Sequence, residues 1–145
     1  MITILIQTIS AFFATVFFSI LFNISKTELL SCGLNGALAW LIYSFTYSIF
    51  DTVLLSTFLA SIALSVVACL LSKKRKMPVI IYLVAGILPL VPGAGMYRTM
   101  YSLLKNDFER GNYFFVQTLQ TAGIIAISTA VTLSMFFKKQ NNIYK

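Results

Sequence analysis

The 145 residues are 59% hydrophobic and only 10% charged, with a mean hydropathy of +0.88, whereas an ordinary soluble domain is about a quarter charged. That composition excludes a soluble enzyme or scaffold and places the chain in a membrane. The net charge of +7 sits at the ends of apolar runs with no basic face interleaved with exposed aromatics, so it reads as topology and attraction to anionic lipid, not nucleic-acid binding.

Between the charged residues lie five uncharged windows, 1–25, 29–50, 52–72, 77–97 and 111–137. A helix rises about 1.5 Å per residue, so roughly 20 residues cross a hydrocarbon core of about 30 Å, and each window suffices. The chain is therefore predicted to be an all-α, polytopic integral membrane helical bundle of about five spans, a single transmembrane domain over residues 1–145. The spans are placed at 2–22, 29–49, 52–72, 78–104 and 113–137, with a basic tail at 138–145 that is mobile from Gln140.

No Lys or Arg precedes the apolar run of the first span, and that run is longer than a signal-peptide core, so it is expected to stay in the mature chain. The second span, LLSCGLNGALAWLIYSF, places Gly33 four residues before Ala37 and Cys32 four before Gly36. The third offers Ser61, Ser65, Ala68 and Ser72, and the fifth Thr118, Ala122, Ala126 and Thr129. Small residues at these intervals let helix backbones approach closely in lipid. Asn35, Gln117, Gln120 and Thr121 are polar groups in hydrocarbon, expected either to bond between helices or to line a pathway.

Cys32 and Cys69 have neither CxxC spacing nor histidine companions and read as packing residues. Acidic residues occur only at 28, 51, 107 and 109, and the chain has no histidine. A metal site or an acid–base dyad within the membrane is not expected from that inventory, so the chain reads as no enzyme and as needing no cofactor. Asp51 is assigned to a turn between helices.

Lys73, Lys74, Arg75 and Lys76 form the densest basic cluster, and short basic loops favour the cytoplasmic side. Five crossings then put the N-terminus outside and the C-terminus inside, with eight Lys or Arg on cytoplasmic segments against three outside. The alternative is four crossings, with the fourth stretch folding back into the membrane.

That fourth stretch contains LPLVPGAGMYRTM, residues 88–100. Pro89 and Pro92 lack amide donors and restrict the residues before them, while Gly93 and Gly95 permit backbone angles that other residues avoid. The chain from Pro89 to Gly95 is predicted to be unwound at membrane depth between two half-helices, a state tolerated only where backbone is buried in protein or lines a wet cavity. Such breaks recur in secondary transporters, where the second half-helix offers free amides and a positive dipole end to an anion. Arg98 would lie in its first turn, either contacting a substrate carboxylate or snorkelling to headgroups.

At these residues the sequence resembles the threonine/serine exporter family, specifically its small membrane-only component, over nearly all its length. Pro89, Pro92, Gly93 and Tyr97 match the family's pattern; Arg98 lies beside it, and its role is read from this sequence. The resemblance implies a cell-membrane exporter built from two membrane halves. This chain would be one half, needing either a partner with a soluble region and matching spans or a second copy of itself. It implies threonine/serine as substrate, with dicarboxylates such as succinate as the alternative, and Pro89, Pro92, Gly93, Gly95, Tyr97 and Arg98 as the substrate region. With no carboxylate expected inside a span, any coupling residue is assigned to the partner. The competing reading is a non-transporting membrane subunit that stabilises that partner.

Overall fold

The structure, a computed structural model, describes residues 2–141, with side chains described through Lys138. It consists of α1 (Ile2–Leu21), α2 (Leu29–Phe50), α3 (Val53–Arg75), α4 (Val79–Ile87), a 3-10 turn (Leu88–Leu90), α5 (Gly93–Leu104) and α6 (Phe108–Asn141), with no strand among the described residues. Four helices, α1, α2, α3 and α6, are long and apolar enough to cross a membrane, and α4 with α5 makes a fifth when the bent pair is counted as one span. The chain is a helical membrane bundle.

Tight turns join successive helices, and a left-handed residue sits in each of four of them: Asn23, Asp51, Lys76 and Asn106. Asn and Asp tolerate that conformation because their short side chains bond locally. Asp51 caps α2, its amide donating to the Tyr47 carbonyl at 2.9 Å. Past Ser72, α3 continues to Arg75 and takes Lys73, Lys74 and Arg75 into its last turn, where cations meet the negative end of the helix dipole. α6 begins at Phe108 and runs on through Lys138 into the stretch read as a tail; residues 142–145 lie outside the described residues.

The packing inverts that of a soluble domain. Ala11, Thr15 and Ser19 are the buried face of α1, while Phe13, Phe17 and Ile20 are exposed toward lipid. Buried hydroxyls hide their protons on their own helix: Thr15 donates to the Ala11 carbonyl, Ser65 to Ser61 and Thr129 to Ile125. With polarity absorbed locally, these side chains pack as small groups. A Cβ on Gly36 would collide with Thr15, and one on Gly86 with Leu64, so α1 approaches α2 and α3 approaches α4 at backbone distance. Cys32 and Cys69 are buried free thiols.

In α6 the buried stripe is Thr121, Ile125, Ser128 and Thr132, whereas the stripe read from the sequence leaves Ala126 exposed. The phase is set by a hydroxyl–hydroxyl hydrogen bond between Ser128 and Ser61 of α3.

One polar cluster departs from the sequence reading. Glu28 is buried, its Oε2 accepts from the Tyr82 hydroxyl at 2.6 Å, and Arg75 approaches its Oε1 at 3.7 Å. Asn35 Nδ2 donates to the Tyr82 carbonyl at 3.2 Å. Tyr82 thus fastens α4 to α2 by both its side chain and its backbone, while α5 packs on α6.

Gly36→Val should destabilise the bundle by about 1–3 kcal/mol through overpacking, whereas Gly123→Ala, where an added Cβ meets nothing within 4 Å, should be neutral or slightly stabilising. Thermal unfolding of the purified variants in one detergent checks both.

Candidate functional site

Pro89 has no amide to donate to the carbonyl of Ala85, four residues back. The chain tightens instead into the 3-10 turn, with the Val91 amide on the Leu88 carbonyl at 3.3 Å. Val91 is then extended and Pro92 caps α5, whose axis is bent 51° from that of α4. The break is shorter than the predicted Pro89–Gly95: Val91 and Pro92 alone are non-helical, and Gly93 to Gly95 already form the first turn of α5. Neither glycine adopts a positive φ. Gly95 is required for space, because a Cβ there would collide with the Thr118 hydroxyl of α6; Gly93 faces open space.

At this start of α5 the Gly93 amide turns back to the Val91 carbonyl at 2.8 Å and the Met96 amide reaches Pro92 at 3.1 Å. The amides of Ala94 and Gly95 between them have no backbone acceptor. Arg98 lies four residues beyond Ala94, on the same face. Its guanidinium stands 5.8 Å from the centre of the Phe114 ring, and among the described residues no carboxylate lies within ion-pair distance of it.

These groups border a cavity of about 310 Å³. Trp40 and Tyr43 of α2, Val53 and Thr57 of α3, and Phe114, Gln117, Thr118 and Thr121 of α6 complete its wall. The Trp40 Nε1 is buried without a partner. The α3 residues come from that helix's first turns, so the cavity occupies the half of the bundle remote from the Lys73–Lys76 turn. Its lining residues bring donors: the Ala94 and Gly95 amides, the Arg98 guanidinium and the Gln117 side-chain amide. Such a lining suits a small anionic group.

A second cavity of about 670 Å³ adjoins the first, sharing Val53 and Gln117. It carries Asp51, Glu109, Asn112, Tyr113 and Gln120. Asp51 and Glu109 are exposed and make no ion pair among the described residues. Positive charge therefore lines the inner chamber and negative charge the outer.

Of the residues singled out from the sequence, Pro89, Pro92, Gly93, Gly95, Arg98, Gln117 and Thr121 meet at the first cavity. Gln120 lines the second. Asn35 is bound to Tyr82 in the core, serving as an interhelical bond. Tyr97 lies about 100° round the helix from Arg98; it is 69% exposed and stacks on Tyr101. Trp40, Tyr43, Thr57 and Phe114 were not legible as site residues. A lone Trp inside a span was the one signal, since an indole N–H in hydrocarbon needs an acceptor. No three His, Cys, Asp or Glu converge on a metal position among the described residues.

Residues 7–135 match the family described as Threonine/Serine exporter, ThrE. A probable threonine/serine exporter of Mycobacterium tuberculosis (strain ATCC 25618 / H37Rv) is 30% identical over 82 residues, 56% of this chain and 15% of that protein. The chain thus matches only a small part of this relative's length. No solved structure matches.

Gly95→Ala should cost about 1–3 kcal/mol by forcing α5 off α6. Thr118→Ala removes the colliding hydroxyl and should restore most of that loss, so a double-mutant cycle on thermal stability should show strong coupling. Gly93→Ala should leave stability unchanged or slightly raised.

Proposed function

The chain belongs to the threonine/serine exporter family, and from that premise we propose that it is one membrane half of a secondary exporter for small zwitterionic amino acids such as threonine and serine. The observation that carries this reading is the convergence, at the helix break, of two unpaired amides and an unpaired guanidinium on one cavity. The positive end of a helix and an arginine fork both suit a carboxylate. The cavity volume lies at the low end of the ~300–1,000 Å³ range of ligand sites, in keeping with a small metabolite.

The outer chamber argues for a zwitterion over a dicarboxylate. A ligand with its carboxylate on Arg98 would present an ammonium toward Asp51 and Glu109 favourably, whereas a second carboxylate would meet like charge. A bend of 51° leaves α5 running onward from α4, which supports five crossings. With the Lys73–Lys76 turn in the cytoplasm, the Asp51 turn and the mouth of the cavity face outward.

The need for a second half follows from exposure. Arg98, Gln117 and Gln120 are exposed on segments of membrane depth, and a guanidinium at mid-bilayer costs about 2.5–3.5 kcal/mol on insertion scales. A second membrane half, from a partner chain or another copy, would cover them, as in carriers whose two repeats move about a shared site.

The test is efflux of labelled threonine, serine and succinate from preloaded cells at matched protein abundance. The cells express this chain, a candidate partner, both, or the pair carrying a variant. Efflux should require both chains. Arg98→Ala should lower it about 10- to 100-fold without preventing insertion, the equivalent of one charged hydrogen bond of about 1.5–3 kcal/mol, and Arg98→Lys should recover only part. Asp51→Asn with Glu109→Gln should raise succinate relative to threonine. Efflux by the partner alone would make this chain an accessory subunit.

A further inference from the structure

Four residues with hydroxyl groups line the cavity at the helix break: Tyr43, Thr57, Thr118 and Thr121. Three of those hydroxyls are engaged on their own helices. Thr57 donates to the Val53 carbonyl at 2.8 Å, Thr118 to Phe114 at 2.7 Å and Thr121 to Gln117 at 2.9 Å. The Tyr43 hydroxyl bonds to no described residue. Among the described residues, the buried side-chain atoms without a partner are Asn35 Oδ1 and Trp40 Nε1. Tyr43 is half-buried, so its hydroxyl is both unpaired and accessible. We infer that Tyr43 is a specificity-determining residue of the exporter, its hydroxyl bonding the side-chain hydroxyl of a β-hydroxy amino acid.

The ring is held while the hydroxyl is free. Tyr43 lies between Trp40, with ring centres 5.3 Å apart, and Tyr47, stacked on it at 6.0 Å. It also packs against the buried cluster that includes Ala60, Leu64 and Leu90. A tyrosine has only two side-chain torsions to fix, so a ring wedged in this way presents its hydroxyl at low entropic cost. Packing alone would be served as well by phenylalanine, which occurs 13 times in the chain, and a phenol hydroxyl among helices needs a partner.

The inference rests on the exporter reading and adds a third point of attachment to it. An α-amino acid carries three groups on its α-carbon. On that reading the carboxylate goes to Arg98 and the α5 amides, and the ammonium toward the chamber of Asp51 and Glu109, which adjoins at Val53 and Gln117. α2 gives Trp40 and Tyr43 to the first cavity and no described residue to the second. Its wall is therefore left for the side chain. As a sphere, 310 Å³ is roughly 8 Å across, so one small ligand can reach several walls at once. A hydroxyl can both donate and accept, which suits the uncommitted Tyr43 better than the threonines, whose protons are already placed. A ligand lacking that group leaves the phenol unpaired, the condition under which a site rejects an analogue.

The test is efflux of labelled threonine against 2-aminobutyrate, which is threonine without its hydroxyl, from cells expressing this chain with its partner half. The wild type should favour threonine. Tyr43→Phe keeps the ring and its stacking and should lower that preference about 3- to 10-fold, the equivalent of one neutral hydrogen bond, while 2-aminobutyrate efflux holds. Its melting temperature should match the wild type. Tyr47→Phe should change neither rate. No preference in the wild type, a preference that survives Tyr43→Phe, or equal losses for both amino acids overturns the inference and leaves the exporter reading standing. So does a Tyr43→Phe chain that melts earlier or fails to accumulate, because the hydroxyl then has a structural partner. Export of neither amino acid by the wild-type pair overturns the exporter reading, and this inference with it.

Discussion

In hydrocarbon every backbone amide and carbonyl needs a partner, because each unsatisfied group costs several kcal/mol. Pro89 and Pro92 violate that condition inside a stretch long enough to span. The chain recovers part of the loss at once, through the Val91 amide on Leu88 and the Gly93 amide on Val91. The Ala94 and Gly95 amides remain, and these two residues line a cavity walled by α2, α3 and α6. The site is in this sense a consequence of the two prolines, which leave these amides without backbone partners beside the cavity.

The break also divides the bundle mechanically. α4 is held to α2 by the side chain and the carbonyl of Tyr82, and its Gly86 lies against Leu64 of α3. α5 is held to α6 by close contacts at Gly95 with Thr118 and at Gly111 with Leu103. Two residues, Val91 and Pro92, join these bodies, and Pro92 has its φ fixed by its ring. Motion of α5 against α4 is thus confined to a short joint, with the cavity on one side of it.

The sequence made the bundle legible because charge is so scarce in it: windows between charged residues bound the helices closely. The position of the break was legible for the same reason that it is structurally costly, since two prolines three residues apart cannot be absorbed. Its extent was not, because a 3-10 turn accommodates Pro89 and a helix accepts Gly93 and Gly95 in its first turn. Gly95 was read as conformational and proved to be steric, a distinction that depends on Thr118, 23 residues away and visible only once α5 packs on α6, whereas Gly93 faces open space. Glu28 escaped notice because it adjoins Lys26 in a loop-like stretch. Its burial is tertiary, produced by Tyr82 and Arg75 arriving from two other helices.

Arg98 and the two outer carboxylates carry opposite charge on neighbouring cavities. Asp51 and Glu109 are exposed at helix ends, where water can solvate them, whereas Arg98 lies on a segment of membrane length, where an unpaired charge is costly. The fold keeps them apart: Arg98 lines the inner cavity beside Phe114, while Asp51 and Glu109 border the outer one. Opposite charges are held apart along one path, with Gln117 between the two chambers. On the exporter reading a zwitterion would complete both, its carboxylate at the inner group and its ammonium at the outer ones, and its departure would restore the unpaired state.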